Sequence, residues 1–197
     1  MLKRLGFVAG GLMVVVVALG HAVMSVPKGE APAYTADGSL MAPAHYREWV
    51  YLSSGIDMAY TASQETEHHV FDNTFVNPIS YRAFLATGRW QDGTTIVLEV
   101  RGGESPVSIN KRGSTQSVKV DAEEFHVKDK GKWSFYRLVM GTNSAKLLPV
   151  GAGCQACHAA HGAVDETFVQ FYPTLLPVAK AKGTVSEMYL KEGQTSK

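Results

Sequence analysis

The chain has 197 residues, 45% of them hydrophobic, and its 19 basic and 18 acidic residues leave a formal charge of +1. This length suits one domain with a buried core, and the balanced charge excludes the strongly basic surface of a nucleic-acid-binding protein. With only two cysteines, a disulfide-rich scaffold is also excluded.

The first 22 residues have the pattern of a secretory signal peptide. Lys3 and Arg4 form a short positive region, residues 5–19 are apolar or glycine, and residues 20–22 form a small-x-small cleavage site. An uncleaved anchor helix is the alternative, since the apolar run approaches the ~20 residues that span a bilayer. We expect cleavage, which predicts a periplasmic protein.

Composition divides the remaining chain into three parts. Residues 23–43 contain several proline, alanine and glycine residues and predict a flexible lead-in. Residues 44–182 predict one domain, and residues 183–197 a C-terminal tail. Strands are predicted at residues 49–52, 69–76, 94–101, 117–120 and 133–140, with a charged stretch at 121–132 between the last two. Helices are predicted at residues 78–87 and 165–182, so the fold class is α+β.

Two of these elements have clear local signals. Asn77 can cap the first helix, Pro78 suits its first turn and Gly88 can end it. Its apolar stripe consists of Ile79, Phe84 and Leu85. The strand at 94–101 alternates, with Ile96, Leu98 and Val100 on one face and Thr95, Val97, Glu99 and Arg101 on the other. The helix at 165–182 must bend or end at Pro173 and Pro177.

Both cysteines lie in the motif Cys154-Gln155-Ala156-Cys157-His158, which we interpret as a C-terminal Cys-x-x-Cys-His motif of the c-type haem attachment pattern. A two-residue gap lets one helical turn present both sulfurs to the vinyl groups of a porphyrin. His158 would then be the proximal ligand of the haem iron. A redox dithiol or half of a zinc site is the alternative, although no βαβ pattern precedes the motif and no second ligand pair accompanies it.

The position of the motif argues against two common cytochrome types. Only 39 residues follow His158, and they contain one methionine, Met188. Small electron-transfer cytochromes c instead carry the motif near the N-terminus and a methionine ligand far downstream. The helical-bundle cytochromes c′ carry it near the C-terminus, but the predicted strands do not suit four long helices.

Five further blocks accompany the motif in a characteristic order. They are Tyr-Arg-Glu-Trp-Val at 46–50, Phe-Val-Asn-Pro at 75–78, Gly-Arg-Trp-Gln-Asp-Gly-Thr at 88–94, Lys-Trp-Ser-Phe-Tyr at 132–136 and Phe-Val-Gln-Phe-Tyr-Pro at 168–173. In order and spacing the chain resembles the cytochrome P-460 family, which includes the cytochromes c′-beta. The resemblance covers about residues 44–180.

The resemblance implies an antiparallel sheet packed with helices, a homodimer, and one haem c held by Cys154, Cys157 and His158. It also implies a distal pocket formed by the strand after the Asp-Gly turn and the strand before Asn-Pro. Cytochromes P-460 that oxidise hydroxylamine carry a lysine there, joined covalently to the porphyrin. Leu98 occupies that position here, and an aliphatic side chain cannot make the bond. As in cytochromes c′-beta, Leu98 and Phe71 would form an apolar cap.

An apolar cap predicts a five-coordinate ferrous iron that binds nitric oxide or carbon monoxide, with nitric oxide scavenging as a function. Two alternatives stay open. An oxidoreductase of hydroxylamine or nitrogen oxides would use Asp72 as its acid or base, although strand alternation places Asp72 opposite Phe71 and we expect it to face solvent. An electron-transfer protein with a redox partner would need a sixth ligand from Met58, Met140 or a histidine. From periodicity alone, Leu98 is also consistent with an ordinary core residue.

Overall fold

The computed structural model describes residues 31–60, 68–151 and 153–195 of the chain. The predicted signal peptide at residues 1–22 lies outside the described residues and stays a prediction. Within the described ranges, no helix has the length and apolar character needed to cross a membrane.

One antiparallel sheet of seven strands is the centre of the fold, with the order β1-β7-β6-β5-β4-β3-β2. The strands are β1 (Leu40–Met41), β2 (Val50–Ile56), β3 (Val70–Val76), β4 (Thr95–Glu104), β5 (Thr115–Asp129), β6 (Lys132–Leu138) and β7 (Ser144–Leu147). The long central strands β4 and β5 pair with each other and carry most of the side chains that matter for the site.

The helices are α1 (Pro78–Thr87), α2 (Gly153–His161), α3 (Leu176–Lys182) and α4 (Glu187–Thr195), with short 3-10 helices at Tyr46–Glu48 and Val169–Phe171. Phe84 of α1 and Ala179 of α3 pack with Ile96 on one face of the sheet. Tyr46 packs with Val97 on the other face. The predicted α+β class with an antiparallel sheet is therefore confirmed. The haem motif, which lies in α2, is not terminal, because α3 and α4 follow it.

The end signals of α1 are confirmed, but its N-terminal asparagine has a different role from the one predicted. Asn77 makes no side-chain cap. Its Oδ1 accepts the Thr95 N–H at 2.9 Å, and its Nδ2 donates to the Gly93 carbonyl at 3.2 Å. Gly88 ends the helix with φ +74°, and of the predicted stripe only Leu85 is exposed. Asn77 thus ties the start of α1 to the start of β4.

Two predicted elements are wrong. Residues 121–132 are not a charged connection, because β5 runs unbroken to Asp129 and turns at Lys130-Gly131, both with positive φ. Phe125 is buried on one face while His126 lies on the other, as the two-residue period of a strand requires. The helix predicted at 165–182 begins only at Leu176, after a 3-10 turn, in line with its two prolines.

Both segments predicted to flank the domain carry regular structure. Leu40 and Met41, within the predicted lead-in, pair with β7, and Leu40 is buried. An ion pair between Lys146 of β7 and Asp37, at 2.6 Å, joins β7 to the turn that precedes β1. The predicted tail at 183–197 contains α4.

Replacing Asn77 with alanine should lower the free energy of unfolding by about 2 kcal/mol, because the buried Thr95 N–H loses its acceptor. Urea unfolding followed by far-UV circular dichroism measures the change. The control is Asn143→Ala at an exposed bend, which should change the value by less than about 0.5 kcal/mol. Equal effects of the two variants would contradict this role of Asn77.

Candidate functional site

A cavity of about 360 Å³ lies between the sheet and α2. This volume falls within the roughly 300–1,000 Å³ of small-molecule and cofactor sites. On the sheet side the cavity is lined by Ser53 and Gly55 of β2, Asp72 and Thr74 of β3, Ile96 and Leu98 of β4, and Glu124 and His126 of β5. On the other side it is lined by Gly153, Cys154, Cys157 and His158 of α2 and by Phe168, Phe171 and Tyr172, and at its edge by Met58 and Tyr60.

Strand register determines which sheet residues meet in the cavity. Leu98 pairs with Thr74 of β3 on one side and with Glu124 of β5 on the other. Ile96 pairs with His126 in the same way. Since directly paired residues point to the same face of a sheet, one row across three strands forms this wall of the cavity. Leu98 lies in the middle of that row.

His158 is held in a defined tautomer by a main-chain carbonyl. Its Nδ1 lies 2.9 Å from the carbonyl oxygen of Glu166, so the Nδ1–H donates and Nε2 keeps a free lone pair. Burial lowers the pKa of His158, which favours the neutral imidazole that binds metals. The ring stacks on Phe168, with centroids 4.1 Å apart and planes at 27°. The geometry is that of a histidine oriented for ligation.

The main chain at Gly162 lies very close to Glu166, the residue whose carbonyl accepts from His158. Gly162 follows α2, and its N–H donates to the carbonyl of His158 at 2.9 Å. A Cβ at position 162 would lie 2.7 Å from both Cα and the carbonyl carbon of Glu166 and 2.7 Å from the His158 carbonyl oxygen. Such distances are too short for any side chain. Only glycine therefore lets the end of α2 pack against Glu166.

The structure brings together four of the residues proposed from the sequence, but not Phe71. Cys154, Cys157, His158 and Leu98 all line the cavity. Phe71 does not; it pairs with Arg101, on the face of β3 opposite the cavity. Asp72, which we expected to face solvent, lines the cavity instead. The two-residue period of β3 forces this choice, because the register that directs Thr74 to Leu98 also directs Asp72 to that face.

Glu124 and His126 are functional candidates that the sequence reasoning missed. Both lie in the segment read as a charged connection, so no face could be assigned to them. Their signal was the alternation of His126 with the buried Phe125 and Val127. The carboxylate of Glu124 accepts a hydrogen bond from Arg137 Nε at 3.0 Å. The His126 ring meets the His158 ring edge to face, with centroids 4.7 Å apart, and burial lowers its pKa far below the usual value.

The two carboxyl groups of the cavity differ in their surroundings. Burial, followed by the negative charges of Glu124 and Asp57, raises the pKa of Asp72. Glu124 instead has the Arg137 guanidinium as its partner. Burial thus favours the protonated form of Asp72, which is the form that can donate a proton. Of the two methionines considered as iron ligands, Met58 lines the cavity, whereas Met140 is 54% exposed and does not.

The family model for cytochrome P-460 matches residues 43–169, a range that contains β2 to β7, α1 and α2. The chain belongs to the cytochrome P-460 family. It is therefore a haem cytochrome of nitrogen-oxide metabolism. Comparison with curated proteins gives no match.

The residues of this cytochrome fit a haem of the c type. Two thiols and an imidazole project from α2 into one cavity of suitable size. Burial favours the neutral imidazole, and its Nδ1 already donates to the Glu166 carbonyl, which leaves Nε2 for iron. The walls are largely aromatic and aliphatic, as a porphyrin face requires. In the described part of the chain no three His, Cys, Asp or Glu residues cluster as a metal site.

Gly162→Ala should lower the free energy of unfolding by about 2 kcal/mol, because its methyl group must displace main-chain atoms of Glu166 and His158. Chemical denaturation of the purified protein measures the loss. Gly102→Ala is the matched control, since its methyl group would meet nothing nearer than 3.4 Å. A Gly162→Ala variant as stable as the control would show that the close approach of α2 to Glu166 does not exist.

Proposed function

We propose that this cytochrome carries one covalently attached haem c and binds a small neutral gas, nitric oxide or carbon monoxide, at the iron. One observation carries the proposal: the motif residues of α2 and the aliphatic Leu98 of β4 line the same cavity from opposite walls. Haem c, when bound, supplies an iron with one axial position open to a diatomic ligand. The remaining properties follow from the side chains around it.

The wall formed by α2 would hold the cofactor. Cys154 and Cys157 are free thiols separated by one helical turn, and each can add its S–H across a vinyl group to form a thioether. His158 Nε2 would be the iron ligand, oriented by its hydrogen bond to Glu166. Phe168 packs against the imidazole face and restricts its rotation. These contacts position one axial ligand without help from the opposite wall.

The opposite wall would determine what the iron can bind. Leu98 has no lone pair and can neither ligate iron nor form the nitrogen-to-porphyrin bond of the hydroxylamine-oxidising cytochromes P-460. With Ile96 it presents aliphatic surface to the cavity, which disfavours charged ligands and bound water. Small uncharged diatomic molecules lose the least hydration free energy when they enter such a cavity. In this proposal the exported protein acts in the periplasm as a homodimer, where it takes up nitric oxide and exchanges electrons with a redox partner.

Absorption spectra of the purified protein test the proposal. The pigment should stay with the protein in acidified acetone, and the ferrous form should show a high-spin five-coordinate band that shifts with nitric oxide or carbon monoxide. Leu98→His should give a low-spin spectrum with a sharp α/β pair. Carbon monoxide affinity should fall more than about 10-fold, because a tethered imidazole competes as an intramolecular ligand.

The control for Leu98→His is Val118→His, which adds the same side chain at a position that is 92% exposed. Its spectrum should match that of the wild type. A colourless wild type, or a pigment extracted by acidified acetone, would contradict covalent attachment. A wild-type ferrous spectrum that is already low-spin would favour electron transfer, with Met58 as the candidate sixth ligand because it lines the cavity.

A second function, oxidation or reduction of hydroxylamine or nitrogen oxides, is favoured by the two carboxyl groups beside Leu98. Asp72 and Glu124 line the cavity, burial favours the protonated form of Asp72, and Glu124 forms an ion pair with Arg137. Two carboxyl groups in one cavity can serve general acid–base chemistry. Such chemistry moves protons together with electrons, which simple gas binding does not. The cavity would then need both groups within reach of the bound nitrogen compound.

If this second function holds, Asp72→Asn or Glu124→Gln should lower turnover of the nitrogen compound about 100-fold or more, the usual contribution of a general acid or base. Affinity of the ferrous form for carbon monoxide, which carries no proton, should stay close to that of the wild type. Asp121→Asn is the control, because Asp121 has an exposed carboxylate on β5, the strand that also carries Glu124. Unchanged turnover in both cavity variants would remove Asp72 and Glu124 from an acid–base role.

A further inference from the structure

Two consecutive residues after α2 have a backbone conformation that L-amino acids rarely adopt. Asp165 has φ +46° and Glu166 has φ +57°, and neither is glycine. A left-handed backbone conformation costs energy for a residue other than glycine, so it persists only where several surrounding contacts hold it. Such residues are frequent at functional sites. The carbonyl of Glu166 is the acceptor for His158 Nδ1. The unusual backbone therefore presents the group that orients the proposed iron ligand.

Asp165 is held by donors from three separate parts of the chain. Its carboxylate accepts Arg89 Nη1 at 2.7 Å, the Trp90 N–H at 3.0 Å and Lys128 Nζ at 3.3 Å. Its main-chain oxygen accepts the indole N–H of Trp133 at 2.7 Å. The segment after α1, strand β5 and strand β6 all meet on this one residue. Two of the donors are cationic, so these hydrogen bonds are charge-assisted.

The residue on the other side of Glu166 is fixed as well. Thr167 accepts the indole N–H of Trp90 at 2.8 Å, and its own N–H donates to the Val164 carbonyl at 2.9 Å. The side chain of Glu166 itself is exposed. Its carbonyl is thus fixed by its neighbours in sequence.

We propose that Asp165 is a positioning residue for the proximal ligand, because it holds the turn that places the Glu166 carbonyl against His158. This inference rests on the haem site proposed above. A partner of the non-ligating nitrogen increases the electron donation of a metal-bound imidazole and fixes its orientation. Asp165 acts on the iron only through that carbonyl. Arg89, Trp90 and Trp133 do not line the cavity, and they act through their hydrogen bonds to Asp165.

Asp165→Asn tests the inference in the haem-loaded protein. The amide has the same shape, but it loses the charge that Arg89 and Lys128 bind, and its NH₂ cannot accept from Trp90. The midpoint potential should shift to more positive values, because weaker donation from His158 favours ferrous iron. The iron–histidine stretching band in the resonance Raman spectrum of the ferrous protein should move to lower frequency.

Glu166→Gln is the matched control, since it removes the same charge from the next residue and leaves the carbonyl in place. It should leave both the potential and the stretching band unchanged. Arg89→Met, at a side chain that is 58% exposed, removes one ion pair and should shift both readouts in the same direction by a smaller amount. This variant decides the question if Asp165→Asn does not fold.

Three results would overturn the inference. The first is an unshifted potential and an unshifted stretching band in a folded, haem-loaded Asp165→Asn variant. If Asp165→Asn does not fold, the same result in Arg89→Met counts instead. The second is an equal shift in Glu166→Gln, which would indicate a general effect of charge. Both leave the proposed haem site standing. The third is wild-type protein without haem, which overturns the proposed function and this inference together.

Discussion

The hydrogen bond from His158 Nδ1 to the Glu166 carbonyl is the constraint on which the rest of the site depends. An imidazole that projects from a short helix can rotate and can exist in two tautomers, so ligation by Nε2 requires that Nδ1 be occupied. A main-chain acceptor does this without adding a charge beside the imidazole. Its position requires glycine at 162 and a left-handed backbone at 165 and 166. The geometry of the proximal side is therefore set by the chain that follows the motif.

The sheet supplies the second wall, and its register decides the character of that wall. Leu98 lies between Thr74 and Glu124, and the neighbouring row places Ile96 beside His126. The opposite face is equally committed, since Val97 and Phe125 are buried there with Tyr46. A shift of one residue in the register of β4 would turn Glu99 toward the cavity. The residues that now pack in each core would then point to the opposite face of the sheet. Packing on the far face thus keeps an aliphatic residue directed toward the porphyrin site.

Apolar and ionisable groups share this wall, and their arrangement relates the two candidate functions. Leu98 can itself supply neither an iron ligand nor a cross-link, which supports the proposed binding of a gas. Asp72 and Glu124 stand beside it in different surroundings, because burial favours the protonated form of the first and Arg137 forms an ion pair with the second. A neutral diatomic needs neither group, whereas a hydrogen-bearing nitrogen compound needs both. The same cavity could serve different chemistry according to which of these features dominates.

The sequence by itself identified the haem motif, the α+β class and the ends of α1, because each depends on local spacing or on the period of one element. The position of Leu98 in the pocket was implied only by the resemblance to the cytochrome P-460 family. It could not assign Phe71 and Asp72 to their faces, since that choice depends on how β3 pairs with β4. It missed Glu124 and His126 because the many charges at 121–132 favour a connecting segment, and only the packing of Phe125 and Val127 on the far face shows that a strand runs through it. It also gave no sign that Arg89, Trp90, Lys128 and Trp133 converge on Asp165. Those contacts join residues 32 to 76 positions apart, and only the tertiary structure brings such residues within hydrogen-bonding distance.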